Sequence, residues 1–390
     1  MNVALLLSCG SFEGFFGRVL GQTAQSYVAQ YRNDWAWYYA QGLLENGVGV
    51  TIYIPSLHES AIHKTELGIS IRFLPIESWY KPIELFRLRR LSRATRWSLY
   101  VEERINAMAF IKSLRDSIRH DKIDLLYIQE YWTGRFDHLV HRIDIPVVGA
   151  DHGALAQGVF KMFKREALGK AALCYAQTFE ECKAVEQWGG RPKFQPNGCD
   201  VSEFFPDPAV RRGKTVLTVA RLTDKQKRTS DLIRAMARLG DEWTLDIVGT
   251  GPDRGMLEKL AVDLGLSARV RFHGFVNRAG VRDFLRRCGV YVMPSTHEAV
   301  AIAALEAMAC GAAVVLTKIR GFEALVSDGV NGRLVPVRDV EALSRAIPDA
   351  WNHREAWGEA ACKTVQERYN MRVLYAQLAQ SLREAAGRRT

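Results

Sequence analysis

Short apolar segments alternate with helix-forming stretches along nearly the whole chain, and few folds accommodate that pattern. The first half carries Val3–Leu7, Val50–Ile54, Ile123–Ile128 and Ile145–Gly149. The second half repeats the style with Thr215–Val219, Leu245–Val248, Val270–Phe272, Val290–Met293, Ala313–Leu316 and Gly332–Val335. Apolar strands separated by helical crossovers predict an α/β fold of parallel sheets covered by helices on both faces. Such sheets place ligands beyond the carboxyl ends of their strands. At 390 residues the chain is too long for one ordinary core and fits two domains. The turn-rich segment Pro196–Pro208, with three Pro, two Asp and one Gly, suits the junction. Arg372–Ala386 reads as a charged terminal helix.

Composition removes several classes. Hydrophobic residues at 48% and charged residues at 25% are globular values. A net charge of +10 favours an anionic partner without naming it. Seven cysteines without metal-type spacing read as buried thiols in a reducing compartment. The start, MNVALLLSCG, lacks a basic leader and reads as a first strand. No run of 18 apolar residues occurs, so no transmembrane helix is expected.

The most informative stretch runs from Ser295 to Val315. Glu298 lies at a loop after the strand-like Tyr291–Pro294, and Glu306 follows eight residues later among helix formers. A helix starting just after Glu298 would turn its free N–H groups towards the strand ends, an anion site by geometry and dipole. Eight helical residues would then return Glu306 to the same face. A carboxylate there can accept hydrogen bonds from a ribose diol, whereas the bland alternative is a capping Glu298 and a satisfied core Glu306. The long stretch Gly10–Asp34, with Gly10, Gly14, Gly17 and Gly21, is either a functional loop or a surface insertion.

Glu298 to Glu306, followed by Ala-Met-Ala-Cys-Gly, resembles the Glu-x7-Glu motif of retaining glycosyltransferases of the GT-B fold, in the large family-four group (glycosyl transferases group 1). Val216–Lys227, Asp246–Glu258, Arg269–Val276, Ile319–Val335 and Pro196–Asp200 resemble further family segments in family order. The likeness is strong over residues 196–345 and weaker before them. It implies a GT-B architecture, two Rossmann-like parallel-sheet domains facing a central cleft. The expected division is an acceptor-side domain over 1–196, a nucleotide-sugar domain over 197–370, and a C-terminal helix over 371–390 packing back on the first domain.

Residue by residue, the resemblance implies that Arg221 and Lys227 neutralise a leaving diphosphate, a task two fixed cations perform without a metal. Glu306 would bind ribose hydroxyls and Glu298 the transferred sugar. Backbone N–H groups of Ala299, Val300, Ala301 and Ile302 would meet phosphate or sugar. Gly249 and Gly251 would form the family's turn, though two glycines there also suit any tight turn. Phe275 would frame the base, Gly10 would admit phosphate, and His152 in Asp151-His152-Gly153 would orient the donor. Ala299 and Ala301 replace frequent glycines, which leaves the donor sugar open.

Acceptor contacts are expected near Gly10–Asp34 and Glu130–Asp137, where Glu130, Tyr131, Trp132 and Arg135 suit a sugar or serve as ordinary loop residues. Lys81–Arg96 holds six basic residues and one acid. Read as one helix over 79–100, it sets Arg89, Arg90, Arg93 and Arg96, with Phe86, Trp97 and Tyr100, on one face. That suits either an anionic membrane or solvent. No nucleic-acid motif appears, and His138 with His141 makes a lone HxxH without further ligands, read as a helix surface.

The expectation is a retaining glycosyltransferase, cytoplasmic or peripheral on the inner membrane face. It would need no cofactor or metal and act from a nucleotide-diphosphate sugar onto a sugar or lipid-linked acceptor. The alternatives are an inactive nucleotide-sugar-binding or membrane-docked partner protein, and an epimerase or phosphorylase on the same fold.

Overall fold

The computed structural model describes residues 1–29, 35–84, 95–151, 160–298 and 300–387. The chain divides into two compact units, Met1–Pro196 with Leu374–Thr390, and Asn197–Val373.

Unit 1 is built on β1 (Asn2–Leu6), β2 (Gly49–Ser56), β3 (Ile62–Lys64), β4 (Ser70–Pro75), β5 (Leu125–Gln129), β6 (Val147–Ala150), β7 (Leu173–Ala176) and β8 (Pro192–Phe194). Among the described residues they form one sheet in the order β3-β4-β2-β1-β5-β6-β7-β8. Every neighbouring pair is parallel except β3–β4. The order reverses between β1 and β5, which is where an open α/β sheet leaves a crevice beyond its strand ends. The final helix, Met371–Gly387, packs into this unit from Leu374 on. The Tyr375 ring lies where a side chain at Gly42 would stand, and Tyr175 Oη and Ser381 Oγ share a 2.7 Å hydrogen bond.

Unit 2 contains β9 (Thr215–Val219), β10 (Thr244–Val248), β11 (Val270–Gly274), β12 (Val290–Met293), β13 (Ala313–Thr317) and β14 (Arg333–Val335). Their order is β11-β10-β9-β12-β13-β14, all parallel, with the reversal between β9 and β12. Successive residues of one strand enter different cores. Val216, Leu245, Val290 and Val315 pack on one face, Leu217, Tyr291, Val314 and Leu316 on the other. Burial on both faces is why these strands read as continuous apolar runs. Each fully buried aliphatic side chain contributes about 1.5–3 kcal/mol of transfer free energy, so the sheet is a stiff platform for its loops.

The expected doubly covered parallel sheets are therefore present in both halves. The basic stretch departs from its expected single helix. Residues 78–80 form a 3-10 turn, 81–84 are helical, and a new helix, Arg96–His120, begins at Thr95. Thr95 and Ser98 form a reciprocal capping box there, and a cap marks a helix start, not an interior. Tyr100 is buried and donates to Asp137 Oδ2 at 2.5 Å, so it does not belong to a solvent or membrane face. Phe86, Arg89, Arg90 and Arg93 lie outside the described residues.

Candidate active site

Two loops leave the strands that flank the reversal in unit 2. The first follows β9 through Arg221 into the one-turn helix Asp224–Lys227, and the second follows β12 through Pro294 to Glu298. They are laced together. Thr296 N donates to Gln226 O at 2.8 Å, and Gln226 Nε2 donates to His297 O at 3.1 Å. Lys227 Nζ meets Glu298 Oε1 at 2.6 Å, with the side chains 16% and 10% exposed. The structure thus joins two residues that lie 71 positions apart, at the strand ends where a ligand belongs. Arg221 stands exposed at the head of the same loop, and among the described residues its guanidinium makes no ion pair.

The glycine turn supports this arrangement from beside it. Leu222 N donates to Thr250 O at 2.9 Å, and Asp253 N donates to Leu222 O at 3.1 Å. A Cβ at Gly249, where φ is +129°, would sit 2.0 Å from Ala220 O, and one at Gly251 would sit 2.4 Å from Leu222 O. Both glycines are therefore required by the close approach of two loop backbones. Gly249 N also donates to Gly274 O at 2.8 Å, which fixes the corner just before the exposed Phe275 ring.

The helix carrying Glu306 starts later than expected. It spans Ile302–Ala309 with Ala301 as N-cap in an extended conformation, so the described residues among 295–301 are not helical. Two anchors explain the delay. Val300 is buried in the core, and its carbonyl accepts from Asn197 Nδ2 at 2.9 Å. Glu298 and Glu306 consequently do not share a helix face by the eight-residue spacing. Ala301 O accepts from both Ala304 N and Leu305 N, and the cap has no side-chain acceptor, so the helix presents the N–H groups of its first residues at its open end. Glu306 is buried between Leu305 and Ala307, which are fully covered. Its charge is felt nearby. Burial first, then Glu306 and Glu298, push the Tyr291 hydroxyl well above its ordinary value, and burial, Cys288 and Glu306 raise the Cys310 thiol to about 12. Ala299 and His152 lie outside the described residues.

In unit 1, Arg135 is buried and directed inward, not towards an acceptor. It donates to Leu7 O at 3.2 Å, Cys9 O at 2.6 Å and Asn106 Oδ1 at 2.7 Å. Asn106 Nδ2 donates to Gly10 O at 2.8 Å. Arg135 and Asn106 therefore brace the chain after β1, including Gly10. Tyr131 and Trp132 are core residues. His138 is buried as well, correcting the surface reading, and burial with Arg142 lowers its pKa to about 4. Among the described residues no group of three or more His, Cys, Asp or Glu is placed to hold a metal. Asn197 and Gln226, which secure the Glu298 loop, escaped sequence reasoning. Asn197 sat in a segment whose turn residues pointed only to a junction.

Over almost its full length the fold is that of known two-domain enzymes. It superposes on sucrose-phosphate synthase from Thermosynechococcus elongatus with a TM-score of 0.77 at 20% identity, covering 98% of this chain and 99% of that one. Against Anabaena HepE in complex with UDP-glucose the TM-score is 0.71 at 19% identity, covering 98% and 100%. Two Rossmann-like parallel-sheet units of this kind define the GT-B architecture. In sequence, residues 202–364 match the family glycosyl transferases group 1. An uncharacterized glycosyltransferase of Methanocaldococcus jannaschii is 26% identical over 362 residues, 83% of this chain and 90% of the relative. A phosphatidyl-myo-inositol mannosyltransferase of Mycolicibacterium smegmatis is 33% identical over 201 residues, about half of each protein. The match covers residues 202–364, the greater part of unit 2.

Proposed function

We propose that the protein moves a sugar from a nucleotide-diphosphate sugar to an acceptor hydroxyl with retention of anomeric configuration. The observation that carries this reading is the Lys227–Glu298 pair at the β9/β12 strand ends, beside the exposed Arg221. Without donor, Glu298 holds Lys227 where a diphosphate would need it. With donor, the diphosphate takes over Lys227 and Arg221, and Glu298 is released towards the transferred sugar. Glu306 accepts from the ribose hydroxyls, Phe275 frames the base, and the N–H groups at the start of Ile302–Ala309 complete the anion site. His152 is kept as the group that hydrogen-bonds a donor hydroxyl. The bond from the anomeric carbon to phosphate oxygen breaks as the acceptor oxygen bonds on the same face. The acceptor proton passes to the departing phosphate, so two fixed cations stand in for a metal and no cofactor is used.

The UDP-glucose held by the Anabaena neighbour supports a nucleotide-sugar donor. The names of the mycolicibacterial relative and of a Rhizobium meliloti lipopolysaccharide core glycosyltransferase (40% identical over 132 residues) support a lipid-linked acceptor. We place the protein on the cytoplasmic membrane face, where the basic Lys81–Arg96 segment meets anionic lipid. No helix among the described residues is long and apolar enough to cross a membrane.

Thermal unfolding with UDP, GDP, ADP and dTDP, without magnesium, tests the donor site. A ligand at about 100 times its dissociation constant stabilises by about 2.7 kcal/mol. One nucleotide should stand out, and Glu306→Ala should erase its shift. A uniform absence of shifts at millimolar nucleotide overturns the reading. Binding without turnover of the matching sugar nucleotide leaves a binding protein instead of an enzyme.

A further inference from the structure

Unit 1 exposes an apolar cluster that its own core does not use. Trp97, Phe160, Met162 and Phe163 are 58%, 37%, 72% and 42% exposed. They are not scattered. The Phe160 ring lies 6.2 Å from Trp97, 5.1 Å from Tyr100 and 6.2 Å from Phe163, centroid to centroid. The cluster joins the first turns of two helices, Arg96–His120 and Lys161–Lys170. A contiguous exposed apolar patch of this kind marks an interaction surface.

Its rim is cationic. Arg96, Lys161 and Arg165 are exposed, and the Arg104 guanidinium lies 5.5 Å from the Phe163 ring centre. Of the nearby acids, Glu166 is exposed, while Glu103 is engaged by Gly134 N at 2.9 Å. The helix Lys161–Lys170 has Phe160 as N-cap, which supplies no side-chain acceptor to its positive end. Phe160 sits at φ 60°, a left-handed conformation that a bulky residue adopts only when its surroundings impose it.

The backing is rigid. Lys164, on the inner side of the same helix, is fully buried. Its Nζ donates to Tyr131 O at 2.6 Å, Thr133 O at 3.1 Å and Asp137 Oδ1 at 2.6 Å. Asp137 also accepts from Tyr100, so one buried carboxylate ties both helices together beneath the cluster.

We infer that Trp97, Phe160, Met162 and Phe163, with Arg96, Lys161 and Arg165 around them, form a docking surface for an anionic lipid bilayer. Aromatic and Met side chains would enter the headgroup boundary while the cations meet phosphate. The inference extends the proposed membrane placement by naming its contact residues, and it needs no turnover.

The test is co-sedimentation of the full chain with two kinds of vesicle, pure phosphatidylcholine, and phosphatidylcholine with about one third phosphatidylglycerol. Nucleotide-induced thermal shifts are measured in parallel, so that a failed donor site and a failed docking surface are told apart. The wild-type chain should pellet with the anionic vesicles and be released by salt. The triple variant Trp97→Ser, Met162→Ser, Phe163→Ser should lose roughly tenfold in vesicle partitioning, as should Lys161→Glu with Arg165→Glu. Because these side chains are exposed, both variants should melt with the wild type. Wild-type chain left in the supernatant overturns the inference together with the membrane placement. Variants that pellet like the wild type overturn the inference alone and leave Lys81–Arg96 as the contact. Self-association in light scattering that the triple variant abolishes, without vesicle binding, reassigns the patch to a second copy of the chain.

Discussion

The two sheets reverse strand order in the same manner, and at each reversal charged side chains gather beyond the strand ends. In unit 2 they stay within reach of solvent. Lys227 and Glu298 pair across two loops, and Arg221 is exposed. In unit 1 they turn inward. Arg135 is spent on the carbonyls of Leu7 and Cys9, and one strand beyond the reversal Asp151, after β6, meets the Glu181 carboxyl. The same topology thus yields a ligand-ready cation pair in one unit and a set of internal braces in the other. What separates them is burial. A charge that keeps some water can exchange partners, whereas one fully removed from water must be satisfied by the protein itself.

Substitutions should divide along that line. The largest effect is expected for Lys227→Ala. If its cation meets the diphosphate in the transition state, kcat/KM should fall on the order of 100-fold. The melting temperature should fall modestly as well, because the substitution leaves Glu298, only 10% exposed, without its partner. A variant with unimpaired turnover would show that the pair is only a structural clasp. Arg135→Ala should behave in the opposite way. It strips donors from two backbone carbonyls and from Asn106, which costs about 3 kcal/mol of stability. Nucleotide binding by the folded fraction should persist. A variant as stable as the wild type would mean that water replaces the guanidinium.

Legibility in the sequence followed the same division. β9 and β12 coincide with the apolar runs Thr215–Val219 and Val290–Met293, because burial on both faces leaves no polar interruption. β3, β4, β7 and β8 went unseen: β3 and β8 are three-residue edge strands that carry too little pattern, β7 is only four residues long, and β4 has polar residues between its buried ones. Lys227 entered as a candidate through family resemblance and Glu298 through its place before an expected helix, and no spacing rule could have paired them. The late start of the Glu306 helix was hidden because alanines and Val300 are good enough helix formers. The buried Val300 side chain and the Asn197 contact, 103 positions away, help to hold that loop open. Arg135 looked like a sugar ligand because its loop is aromatic and charged. Its partners at Leu7 and Cys9 lie 128 and 126 residues back, beyond any local reading.

The smallest effect concerns the carboxyl pair of unit 1. Burial, reinforced by the Asp151 charge and hydrogen bond, pushes the Glu181 carboxyl up to about 9. Its Oε2 also accepts from Gln177 N at 2.9 Å and Thr178 N at 3.3 Å, which pull the other way. The folded protein therefore keeps a proton that the unfolded chain releases near the ordinary carboxylate value. Between that value and about 9 the native state binds more protons, so stability falls as pH rises. Glu181→Gln keeps both an acceptor for the two N–H groups and a donor for Asp151, and it cannot ionise. Melting at pH 5 should match the wild type, and at pH 8 the variant should be more stable by about 1–2 kcal/mol. Parallel melting curves across this pH range would show that the carboxyl pair does not retain a proton. The contrast with the partly exposed pair of unit 2 would then lose its clearest titratable member.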